Sequence, residues 1–500
     1  MRQELVAVNH VSKHFGGVQA LRDVSVTLYR GEIRCLVGEN GCGKSTLIKI
    51  IAGALQPDAG EIVVGGKQCT HLEPMEAIRA GIQVIYQDFS LFPNLTVAEN
   101  LAINTELERG ARLVNWRNIR RIATEAMRKL GGDIDLGKTV GELSVADKQL
   151  VAISKALLHN AKVLIMDEPT TALTHKEVKT LFRIVTDLKQ RGMSILFVNH
   201  KLQEILEIGD TITVLRNGQN VAEGEAPQFS HGDLVRHMTG RQLQNRPVET
   251  AASGGATAIK VTGLTRKGAF EHISFEVRAG EIVGITGLLG SGRTELALSL
   301  FGLEPADSGS IEIGGQVVRM RSVRDAIRAG IAYVPEDRLA EGAFAEQSIE
   351  RNIVISGLSS FARLAGWISP THLRRVVAPW MANLRIQAPS ARMPVASLSG
   401  GNQQKVVLGR WLATQAKVLI LNGPTVGIDV GAKMDVHAKI QELACKGMAV
   451  VLISDDLREL VEVCGRILVM HRGRIVKEFQ TTGCDDDGLA AELGCVGIVG

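Results

Sequence analysis

Residues 38–46 read Gly38-Glu39-Asn40-Gly41-Cys42-Gly43-Lys44-Ser45-Thr46 and fit G-x-x-x-x-G-K-[ST], the phosphate-binding loop. The apolar run GEIRCLV precedes it and reads as a buried strand. TLIKIIAG follows and reads as a helix. That context separates the motif from a chance glycine-rich turn. Glycines let successive backbone N–H groups face a polyphosphate, and the helix N-terminus adds a favourable dipole. Lys44 is placed to reach the two outer phosphates, and the Ser45 hydroxyl is placed to ligate Mg²⁺.

The loop has a second, related form: Gly287-Leu288-Leu289-Gly290-Ser291-Gly292-Arg293-Thr294, offset by 249 residues (Gly287 from Gly38). GEIVVGG at 60–66 pairs with GSIEIGG at 309–315, and AIRAGIQVIYQD at 77–88 with AIRAGIAYVPED at 326–337, at the same offset. Leu143-Ser144 pairs with Leu398-Ser399, and KVLIMDEPT at 162–170 with KVLILNGPT at 417–425, both at offset 255. An insertion of six residues between 337 and 398 accounts for the change. Five collinear matches imply two copies of one domain. The polar, glycine- and alanine-rich stretch QLQNRPVETAASGGATA marks the join. The expected division is 1–243, a linker at 244–257, and 258–500.

Within the first copy, residues 5–35 alternate like antiparallel strands. Apolar strands at 33–37, 163–167, 194–198 and 211–215 alternate with helical stretches, which implies a mainly parallel sheet covered by helices. Residues 96–160 read as mostly helical, a subdomain inserted between the phosphate loop and the VLIMD strand. At 45% hydrophobic and 22% charged residues, a chain of 500 residues can build such cores. A net charge of +4 and 4% aromatic residues, with no basic cluster interleaved with aromatics, argue against nucleic acid as a partner. The seven cysteines are scattered and form no C-x-x-C, as in a reduced cytosolic protein. Cys42 is either a reactive thiol or an ordinary small loop residue. The N-terminus lacks the apolar core of a signal peptide, and no apolar run approaches the ~20 residues of a membrane span. Any membrane role must therefore come through a partner.

Asp167 ends an apolar strand and Glu168 follows it. A carboxylate at a strand end beside a phosphate loop is placed to hold Mg²⁺ through water. Its neighbour Glu168 is placed to orient or deprotonate an attacking water. Gln87 follows IQVIY and could touch the metal or the water, although by itself it reads as a polar loop residue. His200 ends SILFVN and could hydrogen-bond the γ-phosphate, although a lone strand-end histidine is often structural. Phe15 could stack on a base, although by itself it fits a core position.

In this order, Phe15, GENGCGKST, Gln87, Leu143-Ser144, VLIMDEPTTALT and His200 resemble an ATP-binding-cassette ATPase. Leu398-Ser399-Gly400-Gly401-Asn402-Gln403-Gln404 looks like the cassette signature. The doubling, with GRTEL, YVPEDR, LSGGNQQK and GIDVGAK in the second half, resembles the ATP-binding subunit of bacterial simple-sugar importers of the ribose, galactose and xylose type. The resemblance covers nearly the whole chain. It implies two P-loop NTPase cassettes in tandem, of α/β class. Each would have a mainly parallel core sheet, an antiparallel β part and an inserted helical subdomain. It implies ATP and Mg²⁺, with residues 38–46, Phe15 and Asp167 on the nucleotide; Ser45, Gln87 and Asp167 at the metal; and Glu168, His200 and Gln87 in catalysis. Ser399, Gly400 and Gly401 would hold the γ-phosphate from the other cassette, because the cassettes pack head-to-tail. The implied partners are integral membrane permease subunits and, through them, a periplasmic sugar-binding protein. The implied place is the cytoplasmic face of the cell membrane. A soluble tandem cassette acting on ribosomes is a rival, but such proteins join their cassettes by a long charged helical segment. A regulator that only binds nucleotide is the other rival.

The two implied composite sites are unequal. Site one takes Lys44, Ser45, Gln87, Asp167, Glu168 and His200 together with Ser399-Gly400-Gly401, and every part is present. At site two Arg293 replaces the lysine, Asn422 and Gly423 stand where Asp-Glu belongs, and Asp455 aligns with His200. The first signature reads Leu143-Ser144-Val145-Ala146-Asp147, without its glycines. Relatives of this type usually keep Asp-Glu in the second half. The expectation is one catalytic site and one that is structural or binds nucleotide without turnover.

Overall fold

The structure is a computed structural model. It describes residues 3–70, 72–108, 114–130, 134–171, 173–240, 255–288, 290–358, 370–414 and 416–481. The chain divides into two compact units, Met1–Leu243 and Gln244–Gly500. Most of the expected linker, and the tail beyond 481, lie outside the described residues.

The first unit contains a six-stranded sheet in the order Gln219–Glu225, Thr211–Arg216, Ile33–Val37, Ser194–Val198, Val163–Asp167, Ile82–Ile85. Its five inner pairings are parallel except for the hairpin between the first two strands. Parallel strands covered on both faces must be apolar throughout. Accordingly, Ile33–Val37 and Ser194–Val198 are buried at every residue. A second, antiparallel sheet runs Val18–Tyr29, Glu4–Phe15, Ala59–Val64, Lys67–Cys69. Thus the alternation at 5–35 serves two sheets: its first two strands pair with each other, and Ile33–Val37 joins the parallel sheet.

The inserted helices Val97–Glu108, Trp116–Leu130 and Val145–Leu158 carry their own apolar cluster, including Val97, Leu101, Ala123, Met127 and Val151. Trp116–Leu130 shows why they form. Ile119, Ile122, Ala123, Ala126 and Met127 recur at spacings of three and four and are buried, while the arginines face outward. Buried Asn100 braces the segment before these helices: its Nδ2 donates to the Phe92 and Thr96 carbonyls at 2.9 and 3.1 Å, and its Oδ1 accepts from Phe92 N–H at 2.8 Å. In the second unit Asn352 makes the corresponding bonds to Phe344 and Ser348.

The second unit repeats the plan. Its six-stranded sheet runs Ile331–Val334, Val418–Asn422, Ala449–Ile453, Ile282–Thr286, Arg466–His471, Arg474–Gln480, and its antiparallel sheet begins with Phe270–Arg278 beside Thr257–Arg266. Among the described residues, no helix in either unit is long and apolar enough to cross a membrane.

Phe197 is fully buried at the centre of the first sheet and meets Phe182 edge-on, with ring centroids 6.0 Å apart. Phe197→Ala is expected to cost about 3–5 kcal/mol, for the lost contacts and the cavity together. A urea titration checks this; a loss below about 1 kcal/mol would contradict the packing described.

Candidate active site

Apart from Phe15, the expected site segments of the first unit leave one edge of the parallel sheet. Val37 leads into the phosphate loop, Ile85 precedes Gln87, Asp167 precedes Glu168, and Val198 precedes Asn199 and His200. Register places Asp167 opposite Val198, and Leu36 opposite Val198 on its other side. The carboxyl edge of an open parallel sheet is where ligands are held.

The loop is shaped by its glycines. Gly41 and Gly43 have φ of 79° and 110°. A Cβ at Gly43 would come within 2.6 Å of the Ala20 carbonyl, and one at Gly38 within 2.4 Å of the Leu215 carbonyl. Gly43 leads directly into the helix Lys44–Ile51. Lys44 is buried and folds back on its own loop, donating to the Gly38 and Glu39 carbonyls at 2.7 and 2.9 Å. Ser45, Asn40 and Gln87 are exposed; Glu39 and Thr46 are half-buried. Cys42 is buried, and burial pushes its thiol up despite the pull of Lys44, so the structure favours the ordinary loop residue over the reactive thiol. Phe15 ends its strand 49% exposed, which rules out the core position.

Asp167 and Glu168 differ although they are adjacent. Burial and the charge of Glu168 raise the Asp167 carboxyl above its ordinary range, against Lys44 and Lys49. The hydrogen bond to His200 holds Glu168 below its range, with Nδ1 and Oε1 3.1 Å apart. A cationic ligand beside Asp167 would relieve the crowding of these two charges. Among the described residues, no group of three or more His, Cys, Asp or Glu could hold a metal alone. Ser45, Gln87 and Asp167, the residues expected at a metal, include a single carboxylate, so a cation there would need ligands beyond these three.

Glu168 sits at φ 48°, a left-handed conformation costly for a residue with a Cβ. The turn points its N–H at the Val198 carbonyl, 2.8 Å away. Behind it, Glu204 accepts from Thr170 Oγ1 and from Asn199 Nδ2 (2.6 Å), and Asn199 Oδ1 accepts from His200 N–H at 2.8 Å. Glu204 thus ties the segment after Glu168 to the segment before His200. Sequence reasoning missed it, because the two acids of LQEILEI, Glu204 and Glu207, read as a solvated helix face. The only available signal was its counterpart Glu459, 255 residues on, which accepts from Thr425, His437 and Ser454 at 2.7, 2.8 and 2.6 Å.

The second unit keeps this scaffold with other chemistry. Gly423 has φ 55°, and its N–H meets the Ile453 carbonyl at 2.9 Å, as Glu168 meets Val198. Asn422 is buried and hydrogen-bonded to Tyr333, whose hydroxyl burial pushes up to about 12. A Cβ at Gly423 would lie 3.0 Å from Glu336 Cγ, so Glu336, at the position of Gln87, occupies the space beside the position of Glu168.

The two signatures also differ. Ser144 caps the helix Val145–Leu158 by accepting from Asp147 N–H at 3.1 Å, and it donates to the Asp147 carboxylate at 2.8 Å. That acid sits where an anion would otherwise approach. Ser399 precedes the helix Gly400–Leu412, makes no side-chain cap, is exposed, and accepts only from Asn402 at 3.0 Å. Gly401 packs so closely that a Cβ there would lie 2.4 Å from Ala432 Cβ. Arg338, another residue missed, donates to the Val426 and Gly427 carbonyls at 2.8 and 3.2 Å and to Gln403 at 3.2 Å, fastening the loop after Gly423 to the signature helix.

A phosphate loop, a strand-end carboxylate pair and a strand-end histidine on one parallel edge define a P-loop nucleoside triphosphatase, here doubled. The family model described as ABC transporter matches residues 21–171 and 270–426. The ribose import ATP-binding protein RbsA 2 of Streptomyces avermitilis is 43% identical over 97% of this chain and 96% of its own length. The ribose import ATP-binding protein RbsA of Geobacillus kaustophilus is 41% identical over 97% and 98%. A putative ribose/galactose/methyl galactoside import ATP-binding protein of Pseudomonas syringae pv. tomato is 41% identical over 94% and 90%. The chain belongs to the ABC transporter family and is an ATPase of it.

The strain at Glu168 is separable from its chemistry. Glu168→Gly is expected to unfold later than Glu168→Ala, by about 1 kcal/mol, because only glycine relaxes the left-handed turn. Paired denaturant melts check it; equal stability would mean that the turn carries no strain.

Proposed function

We propose that the chain is the ATP-hydrolysing subunit of a sugar or polyol importer. It works at the cytoplasmic face of the cell membrane on integral membrane permease subunits, which receive solute from a periplasmic sugar-binding protein. The solute class rests on the names of the relatives. The observation that carries the mechanism is the asymmetry of the two units: Lys44, Asp167, Glu168 and His200 share one sheet edge in the first, and their counterparts are Arg293, Asn422, Gly423 and Asp455 in the second.

In this reading the first loop, with the signature Ser399-Gly400-Gly401, forms the one hydrolysing site, and the other pairing does not turn over. Residues 38–46 cradle the phosphates with backbone N–H groups, Lys44 exchanges its loop carbonyls for phosphate oxygens, and Phe15 offers an exposed ring to the base. Mg²⁺, when bound through Ser45, Gln87 and, by way of water, Asp167, supplies neutralisation of the phosphate charge. Glu168, kept ionised by its bond to His200, accepts the proton of the attacking water. His200 orients Glu168 and reaches the γ-phosphate. ATP binds the closed arrangement better than the open one and so shifts the population. The segment after Gln87, with exposed Phe92 braced by buried Asn100, passes the change to the permease.

The expected result for Glu168→Gln in the transporter complex is a ~10²–10⁴-fold drop in steady-state ATP turnover. Turnover within a few-fold of the unaltered complex would overturn the assignment of both the base and the site.

A further inference from the structure

The second phosphate loop retains its cradle. Gly290 and Gly292 have φ of 79° and 93°, close to Gly41 and Gly43, and a Cβ at Gly290 would meet nothing within 4 Å. The helix Arg293–Leu300 starts at the loop as Lys44–Ile51 does in the first unit. What differs is where the loop's cation goes. Lys44 turns back to loop carbonyls, whereas Arg293 reaches across to an ion pair with Asp455.

Two further facts bear on what this loop accepts. Arg293 is only 7% exposed, yet among the described residues its buried Nη1 finds no partner, and neither does the buried Ser291 Oγ of the same loop. A buried guanidinium N–H left unpaired is costly, and an anionic oxygen is the partner that satisfies it. Asp455 stands at the position of His200, the residue assigned to the γ-phosphate in the first unit. A carboxylate there, held by Arg293, already supplies the negative charge that a third phosphate would bring, and repels another. Asn422 is neutral and turned to Tyr333, and Gly423 has no side chain, so the acid beside this strand end is Glu336, at the position of Gln87.

We propose that the second phosphate loop is a nucleoside diphosphate site, in which Asp455 takes the place of the terminal phosphate and Arg293 bridges it to the β-phosphate. The inference rests on the reading that hydrolysis belongs to the first loop alone, and it adds a ligand for the second. A diphosphate held there serves as a fixed part of the structure, not as fuel.

The test uses the full chain with Lys44→Ala, which silences the first loop, in equilibrium dialysis with labelled ADP and ATP, each with Mg²⁺. The expected result is one ADP per chain, bound at least ~10-fold tighter than ATP. Adding Asp455→Ser is expected to bring ATP to within about three-fold of ADP, and adding Arg293→Ala to abolish ADP binding. ATP binding equal to or tighter than ADP, no nucleotide bound, or a preference unmoved by Asp455→Ser would each overturn the proposal. Circular dichroism melts confirm that each variant is folded, and Asp455→Asn, nearly isosteric, replaces the serine variant if that one is not. Turnover of the unaltered transporter and of its Glu168→Gln form is measured in parallel. If Glu168→Gln leaves turnover intact, the reading of the first loop has failed; if it abolishes turnover while the Lys44→Ala chain prefers ATP, only the present inference has failed.

Discussion

The pairing of Val163–Asp167 with Ser194–Val198 is the constraint on which the catalytic edge depends. It sets Asp167 level with Val198, and the next peptide turns left-handed so that Glu168 N–H reaches the Val198 carbonyl. That one bond fixes the direction in which Glu168 leaves the sheet, and with it the distance to His200 two residues beyond Val198. Backbone strain at Glu168 persists because the neighbouring strand, the Glu204 knot and the His200 contact all hold the same turn.

The second unit separates scaffold from chemistry. Its strands pair in the same register, its turn at Gly423 has the same hand, and Glu459 repeats the knot of Glu204. Glycine there removes the strain and the carboxylate together. Glu336 and Asp455 bring acids to places where the first unit has an amide and an imidazole, and Arg293 answers one of them. The second unit nevertheless keeps a glycine-shaped loop, with Gly290 and Gly292 at positive φ.

Much of this was readable from residues alone, because the strongest signals are local. The phosphate loop announces itself by glycine spacing, the strand ends by apolar runs that stop at Asp167 or His200, and the duplication by fixed offsets. What could not be read depends on partners far apart in the chain. Arg293 and Asp455 are in different motifs, and only folding brings them together. Glu204 and Glu459 lie in amphipathic helices, where an acid normally faces water, and their burial is visible only once the strand beside them is placed. Arg338 sits in YVPEDR, a motif read for its family resemblance and not for the carbonyls it binds. Phe15 fitted a core position by pattern, yet its strand ends at the rim of the antiparallel sheet and leaves the ring exposed.

The central claim is that one loop of two is an engine. The direct measurement is the number of phosphates released per chain in a single turnover of the transporter complex loaded with saturating ATP and Mg²⁺, read by rapid quench. The account predicts one phosphate per chain. Two per chain would mean that Asn422 and Gly423 do not prevent hydrolysis, and the division of labour between the units would have to be abandoned.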